Sequence, residues 1–331
     1  MTDYYRPLVQ REAPLHAFRL AGGPLWFERV ERLRRGGYRK VMPAEDIPED
    51  VLKRLTAERP PICGVEMHRP SIMGILNVTP DSFSDGGQHA GREVADAESM
   101  MKDGADILDI GGESTRPGAN FVPPDEEVAR VVPVIKALTA KGIGPLSVDT
   151  RKAAVAKAAL AAGAGLFNDV TALMFDPESL KVAAESGAVV CLMHSIKTPK
   201  DMQENPRYSN ILLDVYDVLD ERIQACVAAG IPRSRIIVDP GIGFGKTQAH
   251  NLTLLRGIAL FHSLGCAILL GVSRKSIIGQ IANEPRPERR FAGSITLALE
   301  GLNQGVQMLR VHDIAETKQA IALWSALNEA P

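Results

Sequence analysis

From Ser71 onward, short runs of aliphatic and β-branched residues recur along the chain, and each stops where a polar or glycine-rich turn begins. The runs span 71–78, 107–112, 145–149, 166–170, 188–194, 235–240, 267–273 and 308–313. They are too short and too β-branched for helices, so eight strands are predicted. The segments between them read as helices, among them 152–162, 211–229 and 248–263. Several end at a glycine suited to turn the chain out of a helix: Gly163, Gly187, Gly230 and Gly265. Strands that are apolar on both faces and alternate with helices imply a buried parallel sheet. Eight such units fit an α/β fold of the (β/α)8 TIM-barrel type, about 250 residues in its usual form, better than an open sheet.

Residues 1–70 break the alternation. Segments 20–23, 26–33 and 47–55 predict a short helix or two joined by Gly and Pro turns, with Pro60-Pro61 at the boundary. Trp26, Phe27 and the tyrosines favour an N-terminal extension that docks on a barrel of residues 71–331 over a disordered tail.

The polar positions then acquire a place. Asn77, Asp149, Asn168, His194, Asp239, Ser273 and His312 all stand at or near the carboxyl ends of predicted strands, and in a barrel those ends converge on the face that carries the chemistry. Two polar loops leave strands at this face, 77–87 and 111–118. The segment 240–247 contains Gly245-Lys246-Thr247, but Pro240 occupies the position where a Walker loop needs glycine. It reads instead as a glycine-rich loop that places Phe244 beside a pocket. Gly271 to Ser276 leaves the seventh strand and Arg310 to Asp313 the eighth, the two strand ends from which barrels often build phosphate sites. Hydroxyls, cations and a helix start near Ser276 favour diphosphate binding there over a solvated charge cluster.

Asp149 and Asp239 each emerge from an apolar run, and a buried carboxylate needs a partner. Two readings stay open at this point: structural pairing, of Asp149 with Arg151 or Lys152, or recognition with Asn168 of a heterocycle such as an aminopyrimidinone. His194 reads as a ligand, a base or an ordinary hydrogen-bonded histidine.

Composition narrows the function further. Among 331 residues, 38 basic and 40 acidic side chains are interspersed, so no global field favours nucleic acid or an anionic membrane. No segment reaches the roughly 18 apolar residues of a membrane span. Cys63, Cys191, Cys226 and Cys266 are scattered without a Cys-x-x-Cys pair, and the start of the chain has charge and proline where a signal peptide needs an apolar stretch. The expectation is a soluble, reduced, cytoplasmic protein. No Cys/His cluster has zinc spacing, and no Ser/His/Asp nucleophile signature is present.

Taken together, segments 74–87 and 104–119, with Ser147-Val148-Asp149-Thr150, Asn168-Asp169, Asp239-Pro240-Gly241, Ser273-Arg274-Lys275-Ser276 and Arg310-Val311-His312-Asp313, closely resemble the dihydropteroate synthases of the pterin-binding barrel family. The resemblance runs from about Ile72 to Leu327. It implies a folate-pathway transferase that condenses 6-hydroxymethyl-7,8-dihydropterin diphosphate with 4-aminobenzoate and is a sulfonamide target. It places Asp149, Asn168, Asp239 and Lys275 on the pterin ring, with Phe244 and Gly271 lining its pocket. Asn77 would ligate Mg²⁺ on the diphosphate, with Thr115, Arg116, Arg310 and His312 around the oxygens. Phe83, Pro117, Lys275 and Ser276 would border the aminobenzoate. Asn77, Asp81, Asp85, Arg116 and Lys275 would stand nearest the reaction, with loops 77–87 and 112–119 closing over it. The resemblance also implies a homodimer through barrel helices.

Overall fold

The computed structural model describes residues 2–78, 90–114, 119–195 and 206–329. Eight strands close into the expected barrel: β6 (Ser71–Asn77), β7 (Ile107–Gly111), β8 (Leu146–Asp149), β9 (Leu166–Asp169), β10 (Val189–Met193), β11 (Ile236–Asp239), β12 (Ala267–Leu270) and β13 (Met308–Val311). All eight neighbouring pairs are parallel, and β13 returns to β6 to close the ring. Each strand is one to three residues shorter than its apolar run, because the rim residues already belong to the turns that present their side chains. Helices α2 (Ala90–Lys102), α3 (Pro124–Ala140), α4 (Ala153–Ala161), α5 (Ser179–Ser186), α6 (Ile211–Ala228), α7 (Gln248–Gly257), α8 (Ser276–Ala282), α9 (Phe291–Asn303) and α10 (Ile314–Glu329) lie between and after the strands. Gly187 and Gly265 both take left-handed backbone just after helical segments, which glycine adopts without a Cβ penalty.

Side chains alternate along a strand, so every second residue faces the barrel axis. At the amino end that axis is apolar: Met73, Ile107, Leu166, Cys191, Ile237, Leu269 and Met308 pack together, and Ile62, Val65 and Met67 join them. Two residues further along the same strands the inward positions become Asp109, Asn168, Asp239 and Arg310. The barrel is therefore sealed below and polar above.

The N-terminal segment has the helix expected over 47–55 but differs from its prediction elsewhere. It forms β1 (Tyr4–Pro7), β2 (Phe18–Arg19), β3 (Trp26–Phe27), β4 (Arg29–Leu33) and β5 (Arg39–Pro43), followed by α1 (Glu49–Thr56). β1, β4 and β5 make an antiparallel sheet. Residues 26–33 are strand because Phe27, Val30 and Leu33, buried three apart like one face of a helix, lie on two short strands separated at Glu28. The segment has a small core of its own around Leu20, Phe27, Val30, Val51 and Leu55. It also docks on the barrel: the Tyr4 ring meets Tyr216 of α6 edge-on at 5.4 Å. Buried Arg59 donates to the carbonyls of His262 and Cys266, both at 3.1 Å.

Candidate active site

Register brings the polar strand ends into one row. Asn77 stands beside Gly111, Gly111 beside Asp149, and Asp149 beside Asn168, while Met193 stands beside Asp239. They line a cavity of about 600 Å³ at the carboxyl ends of the strands, together with Phe244, Gly271, Lys275, Ser276, Arg310 and His312. This is the volume of a small-molecule site. Asp81, Phe83, Asp85, Thr115, Arg116 and Pro117 lie outside the described residues.

Arg310, expected around the diphosphate oxygens, lines the cavity and also pairs with two carboxylates. Its Nε donates to Asp109 Oδ2 at 2.6 Å and its Nη2 to Asp149 Oδ2 at 2.7 Å. Asn168 Nδ2 donates to the same Asp109 oxygen at 3.0 Å. Arg310 is thus the partner that Asp149 needs, whereas Arg151 and Lys152 pair elsewhere. Both reach Glu113 at 3.1 Å, and Lys152 also binds Glu127. The reason is geometric: position 310 faces the axis, while 151 and 152 have already left the strand. One guanidinium serves two carboxylates. Burial raises the pKa of Asp149, Arg310 opposes that rise and the nearby Asp109 charge reinforces it. Among the described residues, Oδ1 of Asp149 and Oδ1 of Asp109 are buried without a hydrogen-bond partner. Asp149 lines the cavity and keeps one carboxylate oxygen that no donor among the described residues takes.

Across the cavity, Asp239 Oδ1 accepts from the Gly241 amide at 2.7 Å, and burial raises this carboxylate's pKa against the opposing charge of Lys275. Lys275 donates to the Ile242 carbonyl and its Nζ lies 4.5 Å from the centre of the Phe244 ring. Burial pulls the Lys275 pKa down to about 8, while Asp239 favours the charged form. Gly271 borders this corner, where a Cβ would stand in ordinary contact, 3.9 Å, with both Asp239 Oδ2 and Lys275 Nζ.

The Gly-Lys-Thr sequence is a structural device. Lys246 Nζ is buried and bonds His194 Nδ1 at 3.0 Å, the His194 carbonyl at 3.2 Å and the Phe244 carbonyl at 2.9 Å. Thr247 caps α7. Gly241 has φ +68°, and a Cβ there would fall 1.9 Å from the His194 carbonyl, so only glycine fits. Burial, with Lys246 nearby, lowers the His194 pKa to about 3. His194 is therefore neutral and engaged in holding the loop, which resolves its role in favour of an ordinary hydrogen bond.

On the side of β12 and β13, Ser273 Oγ lies 3.0 Å from His312 Nδ1 and accepts from the His312 amide at 3.1 Å. Arg274, counted among the phosphate cations, lines the cavity and pairs with Asp313, its Nε donating at 3.1 Å. Asp109 and Glu113 escaped the sequence reading, although Asp109 interrupts an apolar run and could have been flagged by that alone. Glu113 accepts from the Val122 amide at 2.9 Å, so the two ends of its loop are tied together. Burial works against the Glu113 charge, but that amide, Arg151 and Lys152 together hold its pKa below the usual range.

A closed parallel barrel whose carboxyl face combines paired acids, an amide and a lysine around one cavity defines a barrel enzyme with a small-molecule site. The family model described as pterin-binding enzyme matches residues 73–312, and the chain belongs to that family. It is 45% identical over 269 residues to dihydropteroate synthase of Neisseria meningitidis serogroup C, covering 80% of this chain and 95% of the relative. Among solved structures, it is similar to Xanthomonas albilineans dihydropteroate synthase with 4-aminobenzoic acid, with a TM-score of 0.74, 46% identity and coverage of 80% and 95% of the two chains. It is also similar to Yersinia pestis dihydropteroate synthase in a sulfonamide complex, with a TM-score of 0.76, 46% identity and coverage of 80% and 97%.

Proposed function

We infer that this chain is a transferase that condenses 6-hydroxymethyl-7,8-dihydropterin diphosphate with 4-aminobenzoate to give 7,8-dihydropteroate and diphosphate. The observation that carries this is the convergence of Asp149, Asn168, Asp239 and Lys275 on one cavity with Asn77 at its edge. Asp149, Asn168 and Asp239 offer acceptors and an amide to the N–H groups and carbonyl of the pterin, and Lys275 offers a cation beside Asp239.

The carbon–oxygen bond breaks first, its electron pair leaving with the diphosphate and a cation remaining at the pterin methylene. Asp149 and Asp239 favour that positive charge because they act from a site shielded from water. The amine lone pair of 4-aminobenzoate then forms the carbon–nitrogen bond, and the nitrogen loses its extra proton to the departing diphosphate or to solvent. Holding the two reactants together supplies much of the acceleration, and excluding water suppresses hydrolysis of the cation.

Asn77 suits a hard divalent ion that is held mainly by substrate oxygens. It offers one amide oxygen, its strand neighbour Gly111 contributes no side chain, and no cluster of three or more His, Cys, Asp or Glu among the described residues could hold a metal. Mg²⁺ bound there would neutralise charge on the leaving diphosphate. Arg310 and His312 face the same cavity.

The test is to mix protein, pterin diphosphate, Mg²⁺ and 4-aminobenzoate and to follow both products; a lack of amine-dependent dihydropteroate would end this reading. A sulfonamide is expected to raise the apparent KM for 4-aminobenzoate, and an unchanged KM would remove the amine-site assignment. The working form is a cytoplasmic homodimer. Ile281, Phe291, Leu323 and Leu327 are exposed large apolar side chains on α8, α9 and α10, the kind of surface a second copy would cover. Sedimentation as a monomer at micromolar concentration would contradict this assembly.

A further inference from the structure

The N-terminal sheet lies outside the part of the chain that matches the family, yet it is wired to the loop that holds Lys275. The hairpin between β4 and β5 projects Arg35 onto the start of α6. Its Nη1 donates to Ser209 Oγ at 3.0 Å and to Asp214 Oδ1 at 2.7 Å, and its Nη2 donates to Asp217 Oδ2 at 2.7 Å. Tyr4 OH donates to the same Asp217 oxygen at 3.0 Å. The second oxygen of Asp214 accepts from the amides of Ser209 and Asn210 at 2.8 and 3.1 Å. Arg35 therefore fixes the carboxylate that fixes the backbone immediately after Tyr208.

Tyr208 carries the connection inward. Its hydroxyl donates to the Gly245 carbonyl at 2.9 Å, and its ring meets His250 edge-on at 5.0 Å. Gly245 belongs to the 240–247 loop, in which Gly241, Gly243 and Gly245 all have positive φ. Three glycines in so short a stretch make a backbone with little stiffness of its own, so its shape depends on external ties. Lys246 supplies the ties from the barrel side, Asn251 of α7 accepts from the Gly243 amide at 2.7 Å, and Tyr208 supplies a tie from the side of α6. What the loop holds is functional: the Ile242 carbonyl and the Phe244 ring set the position of the Lys275 ammonium.

We propose that Arg35 and Tyr208 are positioning residues for the pterin site, through which the N-terminal extension sets the shape of the 240–247 loop and hence the placement of Lys275. This rests on the pterin reading of the cavity above. The extension then has a task within the reaction: it tunes recognition of the pterin.

The experiment compares full-length wild type with Arg35→Met, Tyr208→Phe and the double variant, reading KM for each substrate, kcat, thermal midpoint and direct binding of 6-hydroxymethylpterin by fluorescence. Arg35 is half exposed and its pairs are individually modest, so Arg35→Met should raise KM for the pterin diphosphate by about threefold. Tyr208→Phe removes the direct bond to the loop and should raise it by about five- to tenfold, the scale of one lost, half-buried hydrogen bond. The double variant should be no worse than Tyr208→Phe, because both lie on one path. KM for 4-aminobenzoate should rise less than KM for the pterin diphosphate, because Lys275 is expected only to border the aminobenzoate.

A lowered midpoint with unchanged pterin KM in Arg35→Met, or multiplicative effects in the double variant, would overturn the proposal by leaving only a docking role. If Arg35→Met does not fold, Arg35→Lys keeps the charge but loses the forked geometry, and it should still raise pterin KM. Wild type that fails to bind the pterin would overturn the functional reading and this proposal together; wild type that binds, with variants equal to it, would overturn this proposal alone.

Discussion

Lys275→Ala is expected to lower kcat/KM for the pterin diphosphate by about 10²–10³-fold, the usual scale for losing a charged group that acts at the reacting substrate, while the protein stays folded. The fold should survive because Lys275 is not a core anchor. It stands at the cavity, and burial already works against its charge, so removing it relieves a desolvation cost. Its lowered pKa of about 8 makes a second outcome testable. The protonated form is the one that offers a cation beside Asp239, and the ionisable groups near it are Asp239, Arg310 and Lys246. Raising the pH through about 8 should therefore reduce kcat/KM for the pterin diphosphate, a quantity that reports ionisations of the free enzyme. Lys275→Arg should lack this alkaline limb, since a guanidinium does not deprotonate in that range. Near-normal turnover in Lys275→Ala, or an unchanged limb in Lys275→Arg, would remove Lys275 from the site.

What could be read from the chain, and what could not, divides along the range of the interactions. Barrel strands were legible because each apolar run is local and ends in turn chemistry, as Ile236–Asp239 does at Pro240-Gly241. Asp149, Asn168 and Asp239 were legible as a group because the fold, once inferred, sends all strand ends to one face. The pairing of Arg310 was not, since Asp109 and Asp149 lie 201 and 161 residues away and only closure of the ring brings them together. Lys246 shows the same limit. A Gly-Lys-Thr run invites a nucleotide reading, and the buried His194 that engages the lysine is 52 residues away. In the N-terminal extension the failure was local: the spacing of Phe27, Val30 and Leu33 matches a helix, and only the break at Glu28 turns it into two strands.

Arg310→Met is expected to damage stability as well as activity. Removing one partner of a buried ion pair costs about 3–5 kcal/mol, because the remaining charge is left without compensation. Here two carboxylates, of Asp109 and Asp149, would face each other without the cation that now holds both. The site can answer only by taking up a proton, which gives the loss a defined pH dependence. Asp149 already has a folded-state pKa raised to about 7 from an ordinary 3.8, and losing Arg310 raises it further. Between those values the folded state binds more protons than the unfolded state, so stability falls as pH rises through this window. The deficit of Arg310→Met relative to wild type should thus be larger at pH 8 than at pH 5.5 in parallel urea titrations. A deficit independent of pH would show that packing of the long side chain, and not its charge, is what the barrel requires. Arg310→Met/Asp109→Asn separates the two further: it leaves one acid in place of two, so it should regain stability over Arg310→Met while recovering little activity, because Asp149 remains without the guanidinium that orients it for the pterin.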